Sequence, residues 1–521
     1  MKQYFTKNLV YFLLGVVLAL AIFLRFYDLK DSFYFLSDEN RDAIQIYRIA
    51  TGQKFVTFGP KTSTGHSYFG PIYYYLMLPW LVLFNYEAYG LAFGMAVLGV
   101  VAVGLMFYVM EKMLSQTAAL ISSAFLAVSF LIVDSSRFGF HQNLSPLLSI
   151  IIFYLVFRTI KKPKSWYWVA LCCGILLQLS YGAVPMVLTS AIIFIYQFIK
   201  TKQKKQFLQI GLIASLFIIG TYWPFFIFNP RFYLDFIFGG SNFKASNDVV
   251  FFSLSNDITW LAHRFVEFFG KPLFKVYLWD NRWYAAVVAV LVQLVAAITY
   301  SIKTKRENVK RVMLLCLMFL STGLVICLTY NRGFVDHYRL WMVPVFIMMM
   351  ACVLTEIWKA HLVGKIVVGV VMMVVVGLNL KEDGAMILKN QEYYADRQEF
   401  AQYLVDGHLG ISPYAVLQSG GWSIVTPWHY LPTIMGDPPF FVEDNIDTWW
   451  YDEIEKIPFI YLVFDGNTDK CYYHPEERHI SDLLNKYNYR ILSIEKFSKF
   501  DYVIWKLVRE DALAQALCGQ K

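Results

Sequence analysis

The chain has 521 residues, of which 57% are hydrophobic, 18% aromatic and only 16% charged. Mean hydropathy is +0.47, and soluble domains usually carry about 25% charged residues, so the composition excludes an ordinary soluble protein and predicts a polytopic membrane protein. The formal charge of +8 sits in short basic runs between lipid-length spans, which argues against nucleic acid binding and for cationic loops on one side of a bilayer.

The first predicted span covers 8–26, preceded by Lys2 and Lys7 and ending beside Arg25. It is long enough to cross a bilayer, and no small-residue cleavage site follows, so it reads as a retained helix. A first outward segment runs from 27 to 85. It holds an acidic cluster, Ser37-Asp38-Glu39-Asn40-Arg41-Asp42, a Gly/Ser/Thr stretch with His66, and the aromatic run Gly70-Pro71-Ile72-Tyr73-Tyr74-Tyr75-Leu76. That run reads as an interfacial helix, with Pro in its first turn and tyrosines at headgroup level.

Further spans are expected at 86–110, 117–133, 144–158, 166–180, 183–199, 207–228, 283–302, 312–329, 340–358 and 366–380, eleven in all. The pair 166–180 and 183–199 is short, and a kinked or re-entrant hairpin around Gly182 and Pro185 is the alternative. A second outward segment, 229–282, carries an amphipathic helix at 258–269. Lys and Arg crowd the loops near 112, 158–164, 200–205, 303–311 and 359–365, whereas the opposite short loops hold only Arg137, Arg332 and Arg339. The N-terminus is therefore expected in the cytoplasm and the C-terminus outside.

After residue 380 the pattern changes. Helices are expected at 393–408 and 476–487, and strands at 414–419, 460–464, 490–496 and 502–507. The fold class is thus an all-α polytopic membrane bundle over 1–380, with a small extracytoplasmic α/β domain of ~130 residues over 381–521. No internal repeat is visible. Of seven cysteines, Cys172, Cys173, Cys316, Cys327 and Cys352 lie in spans as small core residues, and pairing of Cys471 with Cys518 in the tail stays open.

Three clusters carry chemistry. In the first, a helix from Asp38 would put Asp38 and Asp42 on one face and Glu39 on a neighbouring one. Capping by Ser37 or Asp38 plus a local Arg41 pair is one reading. The other is a carboxylate that takes a proton from an attacking acceptor, with a second carboxylate raising its pKa or holding a divalent cation. The second is Ser136-Arg137-Phe138-Gly139-Phe140-His141-Gln142-Asn143, whose Arg137, His141 and Asn143 suit a phosphate or sugar hydroxyls, or form a polar turn with Arg137 snorkelling. The third is Tyr330 to Arg339, where Arg332, His337 and Arg339 break the charge rule of the outward loops. An anion at the membrane surface is their natural partner, with pairing to Asp336 as the alternative. His66 is a loop histidine or a metal ligand. No nucleotide-binding loop, nucleophile elbow or HExxH appears. Acid and cations on one rim of an uncharged frame describe group transfer from a lipid phosphate, where arginines neutralise the departing group.

On these residues the chain resembles the C-type integral-membrane glycosyltransferases that use polyprenyl-phosphate sugars, above all the protein O-mannosyltransferase and aminoarabinose-transferase type. Residues 37–43 resemble the Asp-Glu motif of the first extracytoplasmic loop. Residues 70–76 resemble the interfacial helix that follows it. His337-Tyr338-Arg339-Leu340-Trp341-Met342-Val343-Pro344 resembles the His-Tyr start of a late span, and Ser136-Arg137-Phe138 with Asn143 and Pro146 fits the second loop of bacterial members. The match covers roughly residues 8 to 380. It implies an inverting transfer with Asp38 as general base supported by Glu39, and with His337 and Arg339, and less directly Arg137, facing the donor phosphate. Arg41, Asp42, His66, Tyr74, His141, Asn143, Arg332 and Tyr338 complete the expected substrate-binding set. Where members carry a lysine before the aromatics this chain has Phe69-Gly70-Pro71, so that phosphate contact is missing or moved. The implied partners are a polyprenyl-phosphate-linked sugar donor, a glycan, lipid or protein acceptor, and membrane lipids. The resemblance fixes no cofactor and leaves a divalent metal open; a metal also belongs to the alternative, whole-glycan transfer of the oligosaccharyltransferase kind. A lipid or solute transporter is the rival of another class, and it would show repeats and midplane charges.

Overall fold

The computed structural model describes residues 2–35, 37–60, 68–221, 306–329, 336–360, 362–389, 393–407, 414–419, 430–435, 457–465, 488–497 and 502–512, with a few isolated positions between them. The expected segment 229–282 with its helix 258–269, His66, Arg332, Cys471 and Cys518 lie outside the described residues, as do nearly all of the span 283–302 and of the helix 476–487. The chain forms two compact units. One comprises Met1–Leu29, Phe55–Pro79 and Leu91–Lys389; the other comprises Lys30–Lys54, Trp80–Gly90 and Asn390–Lys521.

The first unit is helical. Its elements are α1 (Lys2–Phe26), most of α4 (Ile72–Leu83, after the short α2, Leu29–Ser32, and α3, Ser37–Ala50), α5 (Tyr89–Met113), α6 (Gln116–Val128) and α7 (Phe130–Ser135). They are followed by α8 (Ser145–Thr159), α9 (Ser165–Leu179), α10 (Val184–Lys200), α11 (Lys204–Thr221), α12 (Glu307–Thr329), α13 (Met342–Ala360) and α14 (Leu362–Lys389). Among the described residues, seven helices are long and apolar enough to cross a membrane. Every expected span that falls on described residues coincides with a helix. The span expected at 117–133 is divided: the backbone turns extended at Ser129, with φ −61° and ψ 112°, and separates α6 from α7. Local signals set the helix starts. Ser115 caps α6 by accepting from the Ala118 N–H at 3.3 Å, and α8 and α10 carry Pro146 and Pro185 in their first turns, where a missing N–H costs nothing.

Burial separates two kinds of helix. α13 packs against α6, α8, α12 and α14, and its residues from Met342 to Cys352 are buried almost without interruption. α1 instead exposes Leu9, Phe12, Val16, Ile22 and Phe23, as a helix facing lipid should. The turn bearing His337 and Arg339 lies directly before α13, so it is anchored on the most enclosed helix of the unit.

The second unit contains α3, α15 (Tyr393–Gly407), α16 (Tyr430–Ile434) and a four-stranded sheet of β1 (Tyr414–Ser419), β2 (Phe459–Asp465), β3 (Tyr489–Phe497) and β4 (Tyr502–Arg509). The order is β1-β2-β4-β3, with β1 parallel to β2 and the other pairs antiparallel. A bulge at Ile491/Ser493 interrupts the β3–β4 ladder. Phe400, Leu404, Tyr414, Phe459, Tyr461, Ile504 and Val508 form its core, and the Tyr461 hydroxyl donates to the Leu404 carbonyl at 2.7 Å, tying sheet to helix. The segment carrying α3 joins this unit through aromatic packing: Phe33 and Phe35 lie 4.3 and 5.8 Å from the ring of Tyr394.

Candidate functional site

In the second unit, the acidic cluster forms the first turn and a half of α3. Glu39, Asn40 and Asp42 are buried, whereas the Asp38 side chain is 51% exposed. Arg41 bridges the two flanking aspartates: Nη1 donates to Asp38 Oδ1 at 2.6 Å and Nε to Asp42 Oδ1 at 2.9 Å. The local arginine pair expected from the sequence is therefore present. It leaves Asp38 as the one carboxylate of the three that is exposed, with a cation holding one of its oxygens. Both acids also lie near the positive end of a helix, where carboxylates are stabilised.

The same donor set argues against a metal at this cluster. The bridging guanidinium already neutralises the negative charge that Asp38 and Asp42 would offer to a divalent ion, and Glu39 is packed inside. Among the described residues, no group of three or more His, Cys, Asp and Glu converges as metal ligands.

In the first unit, four segments distant in sequence come together. Gly70 donates its N–H to the Gln178 carbonyl at 3.0 Å, and a Cβ at residue 70 would lie 2.1 Å from Gln178 Oε1, so a larger residue there would have to displace the Gln178 side chain. Next to it, the Phe69 ring lies edge-on to His141 at 4.5 Å and stacked on Tyr181 at 4.7 Å. The Tyr181 hydroxyl donates to the Tyr68 carbonyl at 2.8 Å. Phe140 lies between two histidines, 4.4 Å from His141 and 5.3 Å from His337. Gly182 abuts the Tyr338 backbone, where a Cβ would come within 2.9 Å.

His141 and Asn143 lie in the 3-10 turn His141–Leu144, and His337 and Arg339 in the 3-10 turn Asp336–Arg339. Arg339 and His141 are buried; His337 and Tyr338 are half-buried. Tyr74 is buried beside Tyr73, at 6.1 Å. Arg137 reaches back to the first helix. Its Nη1 and Nη2 donate to the carbonyls of Leu24 and Tyr27 at 2.8 and 2.9 Å, at the C-terminal end of α1.

A second feature marks the same turns. Gln142 Oε1, Asn143 Oδ1, Ser145 Oγ, Ser180 Oγ and Trp341 Nε1 are buried without a hydrogen-bond partner among the described residues. Folded proteins satisfy nearly all buried polar atoms, so the concentration of these atoms in the turns at 141–145, 180 and 341 suits a polar ligand. Sequence reading named Phe69, Phe140 and Trp341 only as members of their motifs and missed Gln178 and Tyr181. The only sequence signal for 178–182 is the Gly182–Pro185 interruption of an apolar run.

The family model for dolichyl-phosphate-mannose-protein mannosyltransferase matches residues 68–223, which include three of these four segments. No curated protein matches the chain in sequence. Among solved structures, ArnT from Cupriavidus metallidurans bound to undecaprenyl phosphate is similar, with a TM-score of 0.62 at 10% identity over 96% of this chain and 98% of that one. The archaeal oligosaccharyltransferase AglB from Archaeoglobus fulgidus, in complex with an inhibitory peptide and a dolichol-phosphate, gives 0.54 at 13% identity over 96% of this chain and 74% of that one. A further structure of the Archaeoglobus fulgidus oligosaccharyltransferase, a complex with Zn and sulfate, gives 0.50 at 13% identity over 87% and 68%. The chain thus has the fold of the C-type membrane glycosyltransferases and, over 68–223, the sequence pattern of one of their families, and together these indicate a membrane glycosyltransferase.

Proposed function

We propose that this protein transfers a sugar from a polyprenyl-phosphate donor to an acceptor at the outer face of the cytoplasmic membrane, with inversion at the anomeric carbon. The observation that carries the reading is the exposure of Asp38 alone among the acids of α3. Its free oxygen takes the proton from the acceptor hydroxyl or amine. The acceptor atom bonds to the anomeric carbon as the bond from that carbon to the phosphate oxygen breaks, and the polyprenyl phosphate leaves with the electron pair. Glu39 and Asp42, packed behind Asp38, keep α3 in place rather than touch the acceptor.

The donor phosphate is assigned to the turn before α13. The buried Arg339 is a preorganised positive charge, which does most for an oxyanion when water is excluded, and the half-buried His337 adds a donor beside it. The polar atoms at 142–145, 180 and 341 suit the hydroxyls of the transferred sugar. Arg137 is assigned a structural role, because both of its terminal nitrogens are engaged by backbone carbonyls. The N-terminus is placed in the cytoplasm and the C-terminal domain outside, on the charge bias of the loops.

The test is turnover with a polyprenyl-phosphate sugar in membranes. Asp38→Asn is expected to reduce transfer by about 10²–10⁴-fold while the thermal midpoint stays put. Undiminished transfer removes Asp38 from the mechanism. Loss of wild-type activity on chelation would favour the metal-dependent, whole-glycan alternative.

A further inference from the structure

Arg25 is fully buried within the first membrane helix, a costly place for a charge that usually marks function. Its guanidinium is held by backbone carbonyls. It donates to the end of α6: Nη1 to the Ala127 carbonyl at 3.0 Å and Nη2 to that of Leu126 at 3.4 Å, with Nη1 also reaching its own Ala21 carbonyl at 3.2 Å. These carbonyls lose their helical partners because the backbone breaks at Ser129. Inside a bilayer such groups must be satisfied by the protein.

The other side of the break is satisfied from α14. Asn379 Oδ1 accepts from the Phe130 N–H, the first of α7, at 2.9 Å, while Asn379 Nδ2 is held by the Val375 carbonyl at 2.9 Å. One helical turn further along the same face stands the fully buried Asp383. Beyond α7, Arg137 returns to α1 through the Leu24 and Tyr27 carbonyls. The six-residue α7 is therefore bolted to α1 at both ends, by Arg25 before it and Arg137 after it. Gly99 makes room for the joint: a Cβ there would lie 2.5 Å from Ser136 Oγ and 2.8 Å from Arg25 Nε.

We propose that Arg25, with Asn379, is a positioning residue: the two hold the break at Ser129 so that α7 delivers residues 136–143, and with them His141 and Phe140, to the Phe69 and His337 segments. A continuous helix through 129 would rotate and lift everything beyond it. The inference rests on the reading of His141 as part of the donor site, and displacements of about 1 Å at such a site cost roughly 10²-fold in rate.

The test is a double-mutant cycle in the full-length protein, with donor KM and kcat measured alongside thermal midpoint. Arg25→Lys, which keeps the charge and loses the fork, is expected to raise donor KM about tenfold. His141→Ala is expected to raise it to a similar degree, and the double variant to do little more than either, because both act on one element. Asn379→Leu repeats the experiment from the other side of the break and supplies the result if Arg25 variants do not accumulate. Additive effects, or a lowered midpoint with wild-type KM in Arg25→Lys and Asn379→Leu, overturn the positioning role. If His141→Ala itself leaves KM and kcat unchanged, the donor-site reading fails instead, a different outcome from the first.

Discussion

In α3, Asp38, Glu39, Arg41 and Asp42 fall within about one helical turn, and the ion pairs among them span one and three residues. The loop cluster of the other unit is drawn from 68–70, 137–143, 178–182 and 336–341, and its contacts join residues more than a hundred positions apart, as in Tyr181 to Tyr68. The acids form their constellation wherever the helix forms. The turns have theirs only once the bundle has closed. A local cluster is thus robust to distant change and sensitive only to its own residues, whereas an assembled one inherits every defect of the helices that carry it.

The largest expected effect breaks this comparison on the local side. Asp38→Asn should abolish transfer, by the 10²–10⁴-fold given above, without moving the thermal midpoint by more than a degree or so. A drop in midpoint would mean that Asp38 supports the fold and that its loss of activity says nothing about proton transfer. On the assembled side, Arg339→Met removes a buried charge that lies before α13. About a 10²-fold fall in kcat/KM is expected, in line with the loss of one oxyanion-stabilising donor, and wild-type kinetics would take the phosphate away from this turn.

Gly70→Ala probes assembly directly, since its methyl group would collide with the Gln178 side chain. Overpacking of this kind costs about 1–3 kcal/mol, to be read as a lowered midpoint together with a raised donor KM. A variant as stable and active as wild type would show that the 68–70 segment is free to move away from Gln178.

The smallest effect concerns the sheet. Desolvation pushes the Glu495 carboxyl up, but hydrogen bonds from Ser493, Tyr403 and Lys506 outweigh it and bring its pKa down to about 2. A carboxylate depressed in the folded state adds stability above its unfolded pKa, near 4.5, and loses that contribution as pH falls toward about 2. Because Glu495 is partly exposed, the effect on the midpoint between pH 5 and 3 should be a degree or two at most. Glu495→Gln should flatten the slope of midpoint against pH over that interval, and an unchanged slope would assign the acid sensitivity to other groups.

Much of the fold is legible in the residues themselves. Hydropathy over about twenty residues marks a span wherever it occurs: α5, α8 and α13 begin and end within a few residues of expectation, and α1 ends at the expected Phe26 but begins earlier, at Lys2. Alternation did the same for the four strands. The acidic cluster was readable for the same reason: an i, i+3 pair on a helix depends on nothing but the helix. Only the tertiary structure decided that Glu39 and Asp42 are inside while Asp38 is not, since burial depends on what packs against α3. It also decided that Arg137 turns to the carbonyls of α1, 113 residues away, and that Arg25 bridges a helix break 102 residues away. An arginine's residue type and its neighbours in sequence say that it needs an acceptor; which carbonyl or anion provides it is set by the closing of the bundle, where desolvation makes the nearest unsatisfied acceptor the best partner.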